Sequence, residues 1–75
     1  MPRTVYEVGP RAGQWYLMRP GASRAIGLFD RKRDAVKRGV QIARSNQPSQ
    51  LIIKRADGTI EDERTYGSDR FPPGA

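Results

Sequence analysis

The chain has 75 residues, no Cys, no His and a formal net charge of +6 at pH 7. That length fits one domain with a single core, burying only about 60% of its unfolded surface. Without Cys or His it has no disulfide framework, thiolate metal site, thiol nucleophile or ordinary neutral-pH base.

The charge is uneven. Residues 1–55 hold twelve Lys or Arg against three acids, and residues 56–75 hold two Arg against five acids. Eleven of the fourteen basic residues are Arg, the side chain that grips phosphate bidentately. A surplus of this kind points to a polyanionic partner, DNA or RNA first and an acidic protein second. No apolar run approaches the roughly 20 residues that cross a bilayer, and the start of the chain has no signal-like apolar region. The expectation is a soluble cytoplasmic protein with no membrane partner.

Thr4-Val5-Tyr6-Glu7-Val8 is rich in β-formers, and Gly9-Pro10-Arg11-Ala12-Gly13 carries turn signals. Gln14 to Arg19 is a second strand. Pro20-Gly21-Ala22-Ser23 turns the chain, and Ala25 to Phe29 is a third strand with Gly27 inside it. Asp30 reads as a helix N-cap before a long run without Pro. At 100° per residue, Ala35, Val36, Gly39, Val40, Ile42 and Ala43 share one side, which predicts an amphipathic helix from about Arg31 to Ser45. Asn46-Gln47-Pro48 ends it. Gln50 to Arg55 is a fourth strand, Ala56-Asp57-Gly58 a hairpin turn, and Thr59 to Arg64 a fifth strand charged enough to lie at a sheet edge.

The order βββαββ predicts an α+β fold: a small antiparallel sheet with one helix on one face. Residues 1–64 form the domain. Residues 65–75 form a tail anchored by Tyr66 and Phe71. Strand alternation and the helical stripe give a core of Val8, Trp15, Leu17, Leu28, Val36, Ile42, Leu51, Ile53 and Ile60.

Two stretches carry a resemblance. One is Gly13-Gln14-Trp15-Tyr16-Leu17, then Gly21-Ala22-Ser23-Arg24-Ala25, then Lys32, Asp34, Ala35 and Val36. The other is Asp57-Gly58-Thr59-Ile60, followed by Tyr66-Gly67-Ser68-Asp69-Arg70-Phe71-Pro72-Pro73. Together they resemble the small bacterial domain-of-unknown-function family 2188 over nearly the whole chain. Ser68 stands where Asn is usual in that family, Arg70 where Pro is usual, and Arg31 where a capping Thr is common. The resemblance implies a bacterial source and a compact single domain, and says nothing of mechanism.

The acids do not suggest catalysis. Asp57, Glu61, Asp62, Glu63 and Asp69 fall on a turn, a charged strand and the tail, where they block edge-to-edge sheet pairing. Neighbours on a strand point to opposite faces, so Glu61, Asp62 and Glu63 make a poor cation site. Neither Gly-rich turn has the residues of a nucleotide loop, although Pro20 to Arg24 offers a hydroxyl and an Arg to one phosphate. No enzyme, cofactor, metal or small-molecule substrate is expected.

The basic helix is the stronger signal. Arg33, Lys37 and Arg44 fall within about 40° of one another on a helical wheel, and Arg31, Lys32 and Arg38 add charge near the helix start. Such a row follows a phosphate backbone, and Arg24 joins it from its turn. A solvated helix face would look the same. The alternative site is the outer sheet face, where Tyr16, Met18 and Ile52 lie exposed beside Arg19 and Lys54 and would form a homodimer or protein contact.

Overall fold

A computed structural model describes residues 3–67. The expected latch through Phe71, and the rest of the tail beyond Gly67, lie outside those residues. The elements are β1 (Thr4–Arg11), β2 (Gln14–Met18), β3 (Gly27–Phe29), α1 (Lys32–Ser45), β4 (Ser49–Lys54) and β5 (Ile60–Tyr66). The order βββαββ is as the sequence predicts.

The first strand runs three residues further than expected, through Pro10. The turn is confined to Ala12 and Gly13, both at positive φ (48° and 81°). Two such residues between antiparallel strands make the hairpin turn whose twist matches that of the strands. At the other hairpin Gly58 sits at φ 90°. There Asp57 accepts from the Thr59 backbone N–H (3.0 Å) and hydroxyl (2.6 Å).

The sheet is mixed, which corrects the antiparallel expectation. Its strand order is β3-β2-β1-β4-β5, with β1 parallel to β4 and every other pair antiparallel. The reason is the helix. Two hairpin steps leave β3 running the same way as β1. A helical crossover carries the chain back to the end it left, so β4 enters parallel to both. It pairs with β1, the free side of the β1–β3 meander. The charged β5 lies at an edge, as predicted.

α1 packs Ala35, Gly39 and Ala43, spaced four apart, onto the sheet. Beneath them lie Tyr6, Val8, Leu17, Leu51 and Ile53, all buried, with Trp15, Phe29, Val36, Val40, Ile42 and Tyr66 around the margin. The small residues bring the helix close. A methyl placed on Gly39 would stand 3.0 Å from Leu51 Cδ1 and 3.2 Å from Leu17 Cδ1. The fully buried Ser49 hydroxyl donates to the Ala43 carbonyl and ties β4 to the last helical turn.

Two expected core residues are about half exposed: Leu28 and Ile60, each at 49%. Leu28 pairs with Tyr16 on the outer face, because Gly27 and Phe29 face the helix. Ile60 is turned out by a β-bulge near Ile53 and Lys54. It pairs with Lys54 while Asp62 pairs with Ile53, so Glu61 is the extra residue and the alternation flips. The N-cap is Arg31 rather than Asp30, with no side-chain cap. The Asp30 carboxylate instead accepts from Gln14 Nε2 at 3.3 Å.

Candidate functional site

Alternation along β1, β2 and β4 places Glu7, Gly9, Arg11, Tyr16, Met18, Ile52 and Lys54 on the sheet face away from the helix. A cross-strand cluster occupies its centre. The Tyr16 hydroxyl donates to Glu7 Oε2 at 2.7 Å, and Lys54 Nζ donates to the same oxygen at 3.5 Å. Arg11 lies over the Tyr16 ring, 5.4 Å from its centroid, and donates to the Met18 sulfur at 3.9 Å. The ring covers Gly9: a Cβ there would stand 2.5 Å from the phenol oxygen. Glycine in the middle of β1 is thus what lets the tyrosine lie flat across the strand.

This corrects the picture of an exposed outer patch. Met18 is buried, and Tyr16 and Ile52 are only partly accessible. Burial, then the hydrogen bond and charge of Glu7, push the Tyr16 phenol up, with Lys54 opposing. Burial pulls the Lys54 ammonium down, but Glu7 and Tyr16 outweigh it and leave Lys54 raised. No spacing rule links residues 7, 16 and 54. Only the register of three strands joins them.

Three cations pair with acids across the molecule, while Arg11, Arg19, Arg24 and Arg55 lie away from the helix with no acid partner among the described residues. Lys32 pairs with Glu61 across to β5, Lys54 with Glu7, and Arg64 with Asp62 at 3.1 Å. Arg31, Arg33, Lys37, Arg38 and Arg44 are all on or next to α1, and none pairs with an acid among the described residues. Four of these five are the predicted helix cations. Arg33, Lys37 and Arg44 share one exposed stripe, as the helical wheel predicts. Arg38 lies towards the other side of the helix and donates to Gln41 at 3.2 Å. Arg24 is exposed in the β2–β3 connection and is not part of the stripe.

Sequence reasoning missed the space beside this row. A groove of about 640 Å³ runs between α1 and β5. Val36, Val40 and Ile53 give it an apolar floor. Lys32, Arg33 and Lys37 rim it on the helix side, with Glu61 and Arg64 on the strand side. The bulge and the phase of β5 build that strand wall: Arg64 pairs with Leu51 and so faces the helix. Its guanidinium is raised further by the hydrogen bonds to Asp62 and Tyr66. The signal available in the sequence was the pair Val36 and Val40, at the margin of the buried stripe and next to Arg33 and Lys37. Among the described residues no group of three acids, His or Cys could hold a metal, and no helix is long and apolar enough to cross a membrane.

Helix, groove and sheet define a one-helix α+β domain on a five-strand mixed sheet. Within that class the chain belongs to the family described as "Uncharacterized protein conserved in bacteria (DUF2188)", whose model matches residues 6–66. The match confirms the resemblance read from the two motif stretches. It spans the sheet from Tyr6 within β1 to the end of β5, and with it the cationic stripe and the groove. No curated protein and no solved structure matches the chain.

Proposed function

We propose that this domain is a non-enzymatic, cytoplasmic nucleic-acid-binding module that grips the phosphate backbone with α1. The observation behind this reading is where the ion pairs fall. Acids offset Lys54 on the sheet and Lys32 and Arg64 at the groove, while Arg31, Arg33, Lys37, Arg38 and Arg44 have none. A solvated surface would gain by interspersing both signs. A row left uncompensated binds polyanions by releasing their counterions.

Arg33 and Arg44, with Lys37 between them, lie eleven steps apart along the helix, about 16 Å of rise, enough to touch successive phosphates. Arg38 and Arg24 contribute from the flanks. Fluorescence anisotropy on a labelled short strand and its duplex, across a salt series, tests this. The expected result is binding that weakens steeply with salt. Each of Arg33→Ala, Lys37→Ala and Arg44→Ala should reduce the log–log slope by about one contact, whatever the base sequence. Absence of binding at low salt would end this reading.

A second reading is a homodimer or protein contact through the outer face. It is favoured by half-exposed Leu28 and Ile60, which lie on the same side as Tyr16, Met18 and Ile52. Under it, Ile52→Asp halves the mass measured by light scattering. A wild type that is already monomeric removes it.

A further inference from the structure

The groove deepens the nucleic-acid reading, on which this inference rests. Its floor is apolar, and cations crowd its rim. Of these, Lys32 and Arg64 are held by Glu61 and Asp62, while Arg33 and Lys37 are unpaired. The complementary ligand is anionic at the helix-side rim and apolar below it. A phosphate backbone alone meets only the first condition. A duplex keeps its base faces stacked inside and would leave the floor empty. A single strand meets both conditions, because its bases are free to leave the stack a short distance from its phosphates.

We infer that the groove between α1 and β5 seats an unpaired nucleobase of a single strand whose phosphates lie on Arg33 and Lys37. The base rests on Val36 and Val40. The half-exposed Arg64 guanidinium lines the groove from β5, held by Asp62, and a guanidinium plane is a surface on which a base stacks. The volume is within the roughly 300–1,000 Å³ of small-ligand sites. Glu61 stays neutralised by Lys32, so the one acid on the rim does not oppose the phosphate.

The test compares three labelled DNA probes at matched phosphate number and low salt: a single strand, its duplex, and an abasic strand with sugars and phosphates only. The single strand should bind about fivefold or more tighter than the abasic strand, the low end of what one stacked base contributes. Arg64→Lys keeps the charge and removes the planar face. It should weaken the single strand several-fold and leave the abasic strand unchanged. Methyl NMR should show Val36 and Val40 shifting with the single strand and not with the abasic one. Equal binding of the two strands, or equal loss of both in Arg64→Lys, overturns the base site and leaves the helix reading intact. No binding of any probe overturns both.

Discussion

Gly39 is where helix and sheet approach most closely, and its replacement by Ala sets two effects of known sign against each other. An Ala inside a helix is favoured over Gly by about 1 kcal/mol, because the unfolded chain has less freedom to lose. Against this, the new methyl would meet Leu51 Cδ1 at 3.0 Å, Leu17 Cδ1 at 3.2 Å and Leu51 Cδ2 at 3.3 Å. Both leucines are fully buried, so neither can swing into solvent to make room. Overpacking of this kind costs about 1–3 kcal/mol. The expected net effect of Gly39→Ala is a loss of about 1 kcal/mol, or roughly 4–8 °C in Tm for a domain of this size. Urea and thermal unfolding followed by circular dichroism would measure it. The contact itself is tested by a double-mutant cycle. Leu51→Val removes both contacting methyl positions, so it should destabilise Gly39→Ala less than wild type, with a coupling of at least about 0.5 kcal/mol. A Gly39→Ala protein more stable than wild type, or an additive cycle, would refute the close-packing argument.

Other outcomes follow from single contacts. Arg31→Ser supplies the missing N-cap and should stabilise the fold by about 1 kcal/mol in urea unfolding, while weakening binding to a short nucleic-acid strand through the lost charge. Gly9→Ala displaces the Tyr16 ring and breaks its bond to Glu7, so the phenol should titrate closer to 10 in a spectrophotometric pH series. In wild type the raised Tyr16 and Lys54 values mean that the folded state holds protons the unfolded state has lost. Their contribution is therefore intact below about pH 10 and falls away as pH rises through the folded values, and unfolding measured across that range should show the decline. Asp57 has the opposite sign: its carboxyl is lowered by the hydrogen bonds from the Thr59 hydroxyl and backbone N–H. Its contribution is present above about pH 4 and lost on acidification, and Asp57→Asn should flatten the acid limb of the stability profile.

Local signals carried the elements and failed on what joins them. The helix was legible because six small or apolar residues from Ala35 to Ala43 keep to one side of it. The hairpin at Asp57 and Gly58 was legible from its turn chemistry, and the edge position of β5 from its charge. The parallel pairing of β1 with β4 was not, because alternation shows which residues face the helix but not which strand lies alongside. Ile60 was misplaced by the same limit: a bulge inverts the alternation without changing the composition of the strand. The cationic stripe needed only helical geometry and so was readable. The Glu7–Tyr16–Lys54 cluster and the groove depend on strand register and helix placement, which no single segment encodes.

Placing β1 at the centre of the sheet has a consequence for the nascent chain. Of the sheet's strands, β1 is made first and waits longest for its second partner, since Thr4 pairs with Ser49 and Val8 with Ile53. Until β4 leaves the ribosome, the β1–β3 meander has an open edge lined by Val5, Tyr6 and Val8. At about 5–20 residues per second that interval lasts seconds, long compared with the microseconds in which hairpins close. The protein therefore passes its most aggregation-prone moment during synthesis, and substitutions that slow α1 or β4 should appear first as lower soluble yield.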